Sequence, residues 1–351
     1  MEELKEVLKE LTQTPGVAGY EGKVAGRMAS LMRGLGAQVK EDNLGNVIAL
    51  KKGRQGDKAL KVMVAAHMDE IGFFVSGLEK GFLRVAAVGS FDFRTLVNQE
   101  VTVHGREDLP AIFSAPSPHL TEKEERSKGM TLDKLFVDTG LSENKLKQLV
   151  RVGDPVSVKG DFRELCGSRV AAKAMDDRAG LAVLYQGLKE LEKMHHGPDV
   201  YAVATVQEEV GYRGALVSSY GITPDVGIAV DVTHGEMPGV TGHDAFALGK
   251  GPTIGWGPNI HPAVFKRMEK TAADYGIPAH KEIIPGGSGT DAMAMQIAGE
   301  GAATGILSIP LRYMHTSVET LDMRDIKSAA LLLAFFIRDL EVSFKEVLTC
   351  Y

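Results

Sequence analysis

The chain has 351 residues, 44% hydrophobic and 25% charged, with 40 Lys plus Arg against 46 Asp plus Glu and a formal charge of −6. That apolar content builds sizeable cores and excludes disorder as the main state, while a mildly acidic balance lacks the basic excess of nucleic-acid binders, so no nucleic-acid partner is expected. The longest unbroken apolar run, residues 329–337, is nine residues, far short of the ~20 that span a bilayer, so no membrane partner is expected.

In chain order, Leu4, Val7, Leu8 and Leu11 fall at i, i+3, i+4 and i+7 and predict a first helix, ended by Pro15-Gly16. The acidic, amphipathic start lacks the basic and apolar segments of a signal peptide. Two distant cysteines, Cys166 and Cys350, exclude a disulfide scaffold, and a cytoplasmic location is expected. A second helix is predicted over residues 21–35, closed by Gly36. Residues 46–50 and 60–66 read as strands.

From about 71 to 164 the pattern changes to short β-like pieces at 73–75, 82–88, 100–104 and 155–158. Glu100-Val101-Thr102-Val103-His104 alternates as a half-exposed strand does. Residues 121–129 are highly charged and read as a solvated loop. This region is expected to be a β-rich insert. Helix and strand alternation then resumes, with a helix over 178–194, buried-type strands at 200–206, 226–230 and 305–309, and a long helix over 325–347. Alternating elements of this kind predict an α/β layered domain.

Several apolar strands run into residues that bind divalent metals. Residues 61–66 lead to His67-Met68-Asp69, residues 201–207 to Glu208-Glu209, residues 227–230 to Asp231, and residues 306–310 to His315; Asp176-Asp177 opens a predicted helix. In open α/β sheets, sites gather beyond the carboxyl ends of strands, so these chain-distant groups can share one cleft. Two divalent ions about 3.5–4 Å apart need a bridging carboxylate, terminal His or carboxylate ligands, and one more carboxylate that accepts a proton from water. Zinc and cobalt take such nitrogen and oxygen sets. His67 and Asp69, two apart, can face one side, so that Asp69 can bond the far ring nitrogen of His67 and fix its tautomer.

Ala66-His67-Met68-Asp69-Glu70-Ile71-Gly72, Met175-Asp176-Asp177-Arg178-Ala179-Gly180, Gln207-Glu208-Glu209-Val210-Gly211, Val230-Asp231-Val232-Thr233 and Met314-His315-Thr316-Ser317-Val318-Glu319 together resemble the M42 metallo-aminopeptidases, of the tetrahedral and glutamyl aminopeptidase type. Ser117-Pro118-His119, Val152-Gly153-Asp154-Pro155 and the Gly-Gly-Ser-Gly-Thr-Asp-Ala run at 286–292 are similar too. The resemblance covers essentially the whole chain.

It implies that Asp176 bridges two divalent metal ions, zinc or cobalt, with His67 and Asp231 completing one and Glu209 and His315 the other. Glu208 would be the general base and Asp69 the partner of His67. The implied fold is a phosphorylase/hydrolase-like three-layer α/β catalytic domain (residues 1–69 plus 166–351) with an inserted β-barrel-like dimerisation domain (70–165). The implied partners are a peptide with a free N-terminus and further copies of the chain, as dimers assembling to a dodecamer. The implied reaction is release of N-terminal residues by attack of a metal-activated water on the first peptide carbonyl.

Other classes share parts of the pattern. A related deacylase or carboxypeptidase would not require a free amine. A glycosidase would use two carboxylates and no metal. A shell-forming scaffold would hold its metals structurally. Among the remaining residues, His195-His196 precedes Gly197-Pro198 and reads as helix C-terminal compensation. Gly286 to Gly289 reads as a tight turn bringing Thr290 and Asp291 near the cleft. His243 and Asp244 follow the Asp231 strand closely enough for a pocket role. The preferred N-terminal residue is not legible: Lys250, Arg267, Lys281 and Arg312 would favour acidic side chains if they reached the pocket, and Trp256 and Ile260 would line an apolar one.

Overall fold

The structure is a computed structural model and describes residues 1–120, 129–240, 242 and 245–348. Most of the charged stretch (121–128), His243, Asp244 and Cys350 lie outside the described residues.

The first helix, Glu2–Gln13, buries the predicted stripe of Leu4, Val7, Leu8 and Leu11, and a second covers Gly22–Gly34. Strands follow in the order β1 (Gln38–Glu41), β2 (Val47–Lys51) and β3 (Lys61–His67). After β3 the chain enters β4 (Gly72–Glu79), β5 (Phe82–Val88), β6 (Glu100–His104), β7 (Asp108–Ser114), β8 (Phe136–Asp138) and β9 (Pro155–Val158). It returns through β10 (Arg163–Glu164), β11 (Arg169–Ala172), β12 (Asp199–Thr205), β13 (Val226–His234), β14 (Thr253–Trp256), β15 (His280–Ile283), β16 (Ala303–Leu311) and β17 (Glu319–Asp322).

Eight of these strands form one sheet in the order β1-β2-β12-β3-β13-β16-β14-β15. Its centre, β12-β3-β13-β16, is parallel throughout, and its side chains are buried on both faces. That explains their continuous apolar runs, because a parallel strand is covered on both sides. The helices Met175–Leu191 and Met323–Arg338 pack together on one face, while Arg213–Ile222 and Ala292–Ile297 cover the other. Two strand glycines allow the close approach. A Cβ on Gly227 would meet Met295 at 2.8 Å, and one on Gly305 would meet Val264 at 2.7 Å.

The inserted strands close into a six-strand barrel, β4-β5-β8-β7-β6-β9. Phe73, Leu83, Val101, Val103, Phe113, Val137 and Val156 point inward and form its own core. Phe73 meets Phe113 edge-on at 4.8 Å and stacks on Phe91 at 4.4 Å. The expected three-layer α/β unit carrying a β-rich insert is therefore observed, and the insert is a closed barrel.

The C-terminal helix differs from expectation. It ends at Arg338, and Val342–Val347 forms a separate 3-10 segment. Arg267 donates to the Asp339 carbonyl and Tyr275 to the Asp339 carboxylate, so this residue is tied to a neighbouring helix and not to a next turn. At the other end Asp322 is the N-cap, accepting the backbone N–H of Arg324 at 3.0 Å and the Ser168 hydroxyl at 2.7 Å. Asp322→Ala is expected to cost about 0.5–2 kcal/mol, read by denaturant unfolding. Although partial burial opposes its charge, the Arg324 and Ser168 bonds hold the Asp322 carboxyl down at about 2. Its contribution is complete above the ordinary carboxylate range and fades as pH falls toward that value.

Candidate active site

The parallel centre of the sheet delivers its strand ends to one cleft. His67 is the last residue of β3 and pairs in register with Thr205, the last of β12. Glu208 and Glu209 follow three and four residues later. Asp231 lies within β13, and His315 follows β16. Asp176 and Asp177 open the helix Met175–Leu191 and are joined by a cis peptide. The cleft measures about 410 Å³ and is lined by His67, Asp176, Glu208, Glu209, Asp231 and His315 together with Tyr212, Thr233 and Glu282.

The two histidines converge on one carboxylate. His67 Nε2 lies 3.1 Å from Asp176 Oδ1, and His315 Nε2 lies 3.3 Å from Asp176 Oδ2. Each ring donates its opposite nitrogen, Nδ1, to a backbone carbonyl: Asp69 for His67 at 3.0 Å and Ser90 for His315 at 2.8 Å. A carbonyl only accepts, so each Nδ1 carries a hydrogen, and each Nε2 presents to Asp176 either a lone pair, when the ring is neutral, or a proton. Lone pair facing carboxylate at such distances is repulsive unless a proton or a cation lies between them.

The surrounding groups sharpen this point. Glu209 Oε1 lies 3.4 Å from His315 Nε2, and Glu208 Oε2 lies 3.9 Å from His67 Nε2. Burial pushes Glu208 up to about 11, with the His67 charge opposing and Asp231 adding to the rise. Burial likewise raises Asp231, Asp177 and Glu209. His315 is held up at about 11, because its bonds to Asp176 and Glu209 outweigh burial. Crowded carboxylates take up protons when no other positive charge reaches them. Divalent cations supply that charge, so the donor set fits metal.

Among the described residues, two groups have ligand atoms within 4.8 Å of one another: His67, Asp176 and Glu209; and His67, Asp177 and Asp231. Glu208 and His315 are in neither group, although His315 Nε2 lies within 3.4 Å of both Asp176 and Glu209. Asp177, named in the sequence as half of the Asp176-Asp177 pair but given no role by the family resemblance, accepts the backbone N–H of His67 at 3.2 Å and of Gly180 at 2.9 Å, so its oxygens already serve the main chain. Asp69 meets the His67 ring through its backbone carbonyl and not, as the sequence predicts, through its carboxylate, which lies 3.6 Å away. That carboxylate accepts the backbone N–H groups of Glu208 and Glu209 at 3.0 and 3.1 Å and so fixes the turn bearing both glutamates.

Non-glycine residues in the left-handed region concentrate here. Ala174, Gln207, Tyr212, Tyr313 and His315 have φ between 54° and 62°, each within three residues of a clustered side chain. Such conformations persist where the surroundings over-determine them, typically at functional sites.

The remaining candidates settle elsewhere. Thr290 lines the cleft, and Asp291 is buried behind it, accepting the Thr205 hydroxyl at 2.6 Å. His196 is buried and bonds the Pro198 carbonyl; burial lowers it, so it adds no charge at the helix end. Lys281 lies over Trp256 and Phe265, Arg267 binds the Asp339 carbonyl, and Arg312 binds the Glu236 carbonyl. Among the described lining residues there is no lysine or arginine, and neither Trp256 nor Ile260 is among them.

Histidines and carboxylates gathered at the carboxyl ends of parallel strands define a hydrolase-type α/β site able to take up divalent cations. The profile of the M42 glutamyl aminopeptidases matches residues 45–332. A lysyl aminopeptidase from Pyrococcus furiosus is 38% identical, covering 96% of this chain and 97% of that protein. An aminopeptidase from the archaeon Desulfurococcus kamchatkensis superposes with a TM-score of 0.92 at 38% identity, covering 100% of this chain and 98% of that one. The TET1 peptidase of Pyrococcus horikoshii, which assembles into a tetrahedron or a large octahedral shell, superposes with a TM-score of 0.85 at 30% identity, covering 96% and 100%. The chain belongs to the M42 glutamyl aminopeptidase family and is a peptidase of the phosphorylase/hydrolase-like fold.

Proposed function

We propose that the chain is a dinuclear-metal aminopeptidase releasing N-terminal residues from peptides. The observation that carries this reading is the approach of two histidine Nε2 atoms to opposite oxygens of Asp176. Asp176 would be shared by two cations, zinc or cobalt, with His67 and Asp231 on one side and His315 and Glu209 on the other. Bound there, the cations would polarise the first peptide carbonyl and make water more acidic. Glu208, buried beside the cluster with Oε2 3.9 Å from His67 Nε2, accepts the proton of the attacking water and returns it to the leaving amine. Asp69 holds Glu208 in place through its backbone amide. The acidic cleft attracts the free α-ammonium of a peptide, which gives the N-terminal requirement.

Several observations support the finer points. The barrel strands all lie between residues 72 and 158, in keeping with a catalytic unit of 1–69 plus 166–351 and an insert of 70–165 that pairs subunits. The relatives' shells support assembly of such dimers to a dodecamer. The cysteine usage supports the cytoplasm.

Elemental analysis should return two metal ions per chain, and free-amine peptides should be cleaved while N-acetylated ones are not. Equal cleavage of both would leave a deacylase or endopeptidase. The cleft lining sets a preference as well. With Glu282 on the wall and no lysine or arginine among the described lining residues, acidic N-terminal residues meet like charge. Glutamyl amides are expected to be turned over about tenfold or more slower than lysyl or leucyl amides, since like-charge juxtaposition costs several kcal/mol. A chromogenic aminoacyl-amide panel reads this directly.

A further inference from the structure

Glu319 is the first residue of β17 and pairs with Ala172 at the end of β11. Its side chain is buried, and neither of its oxygens meets a lysine or arginine in a salt bridge among the described residues. Both oxygens are used on backbone. Oε1 accepts the N–H of His315 at 2.6 Å, and Oε2 accepts the N–H of Asp176 at 3.1 Å. These amides belong to residues 139 positions apart in the chain, and their side chains face each other across the candidate metal centre. His315 is also held at φ 62°, a conformation that a side-chain-bearing residue does not keep without anchoring.

This mirrors Asp69, whose carboxylate clamps the amides of Glu208 and Glu209. The two carboxylates thus fix the backbone that carries four of the clustered side chains, Glu208, Glu209, Asp176 and His315. We infer that Glu319 is a positioning residue that sets the separation of Asp176 and His315 by holding both of their amides in one carboxylate, and so tunes cation affinity without being a ligand. The inference rests on the two-cation reading of the site.

The chemistry makes the substitution informative. Glutamine has the same shape but presents one oxygen and one NH2 group. One backbone N–H would then face a donor, and the clamp would hold at one end only. Aspartate keeps the charge but is one methylene shorter, so it reaches one amide at a time.

The test titrates cobalt into metal-stripped wild type, Glu319→Gln and Glu319→Asp, following visible cobalt absorption and bound metal after dialysis. Thermal unfolding of each metal-free form is measured alongside. Both variants are expected to bind cobalt about 10- to 100-fold more weakly per folded molecule, with a changed cobalt spectrum, while the lost hydrogen bond lowers metal-free melting only modestly. Wild-type cobalt affinity and spectrum in a folded variant would overturn the inference. So would a loss of metal-free stability with affinity per folded molecule unchanged, since that marks a purely structural residue. If the glutamine variant does not fold, the aspartate variant carries the same comparison. Failure of the wild-type protein itself to bind cobalt would instead bring down the two-cation reading, and this inference with it.

Discussion

Glu208→Gln is expected to lower kcat by about 10²–10⁴-fold, the span of a positioned general base, while leaving metal content near the wild-type value. Glu208 is buried beside the cluster, 3.9 Å from His67 Nε2, but belongs to neither group of potential ligands. Its backbone amide is fixed by Asp69, so the substituted side chain keeps its place. Glutamine preserves shape and hydrogen bonding but cannot take a proton from water. Steady-state kinetics with elemental analysis of the same preparation reads both halves of the expectation. Near-normal turnover would remove the base assignment, whereas loss of metal together with activity would make Glu208 a ligand.

Exhaustive removal of divalent cations should have an effect at least as large. Polarisation of the carbonyl and of water is worth several kcal/mol, so about 10³-fold or more in rate should disappear. Added zinc or cobalt should restore it. The stripped protein should also melt lower, because an ion held at 100 times its Kd stabilises the fold by about 2.7 kcal/mol. Ion uptake should release protons, since ligands bind deprotonated. Buffers of different ionisation enthalpy detect that release calorimetrically. Full peptidase activity in a strong chelator would be incompatible with the proposed chemistry, and chelator-resistant cleavage of a glucan would return the glycosidase alternative.

Much of the catalytic unit was legible in the residues. The helical stripe of Leu4, Val7, Leu8 and Leu11 and the apolar runs of β3, β12, β13 and β16 carry their own periodicity. Each run also ends in the side chains that meet in the cleft. Less legible was whatever depends on long-range pairing. β7 contains Pro110 and β8 has only three residues, so neither announces itself, yet both are needed to close the barrel. The end of the last helix at Arg338 depends on Arg267 and Tyr275 reaching Asp339 from another element. In the site, side chains that converge as groups were found from strand-end position. The supports acting through backbone were not: Ser90 serves through a carbonyl that every residue has, and Glu319 through amides 139 residues apart. Which cations turn away from the cleft was equally hidden, because Trp256, Phe265 and Asp339 decide it for Lys281 and Arg267.

The contact between Ser90 and His315 gives the inserted barrel a stake in the chemistry. The loop after β5 supplies the acceptor that orients an imidazole 225 residues further along the chain, and beside it a Cβ on Gly89 would come within 3.3 Å of Glu209. Replacing the insert with a short linker would therefore reach into the cleft itself. The catalytic sheet would lose the brace on one of its imidazoles, leaving that ring free to swivel and exchange tautomers. A chimaera carrying another relative's barrel would work only where that barrel brings a carbonyl to the same spot.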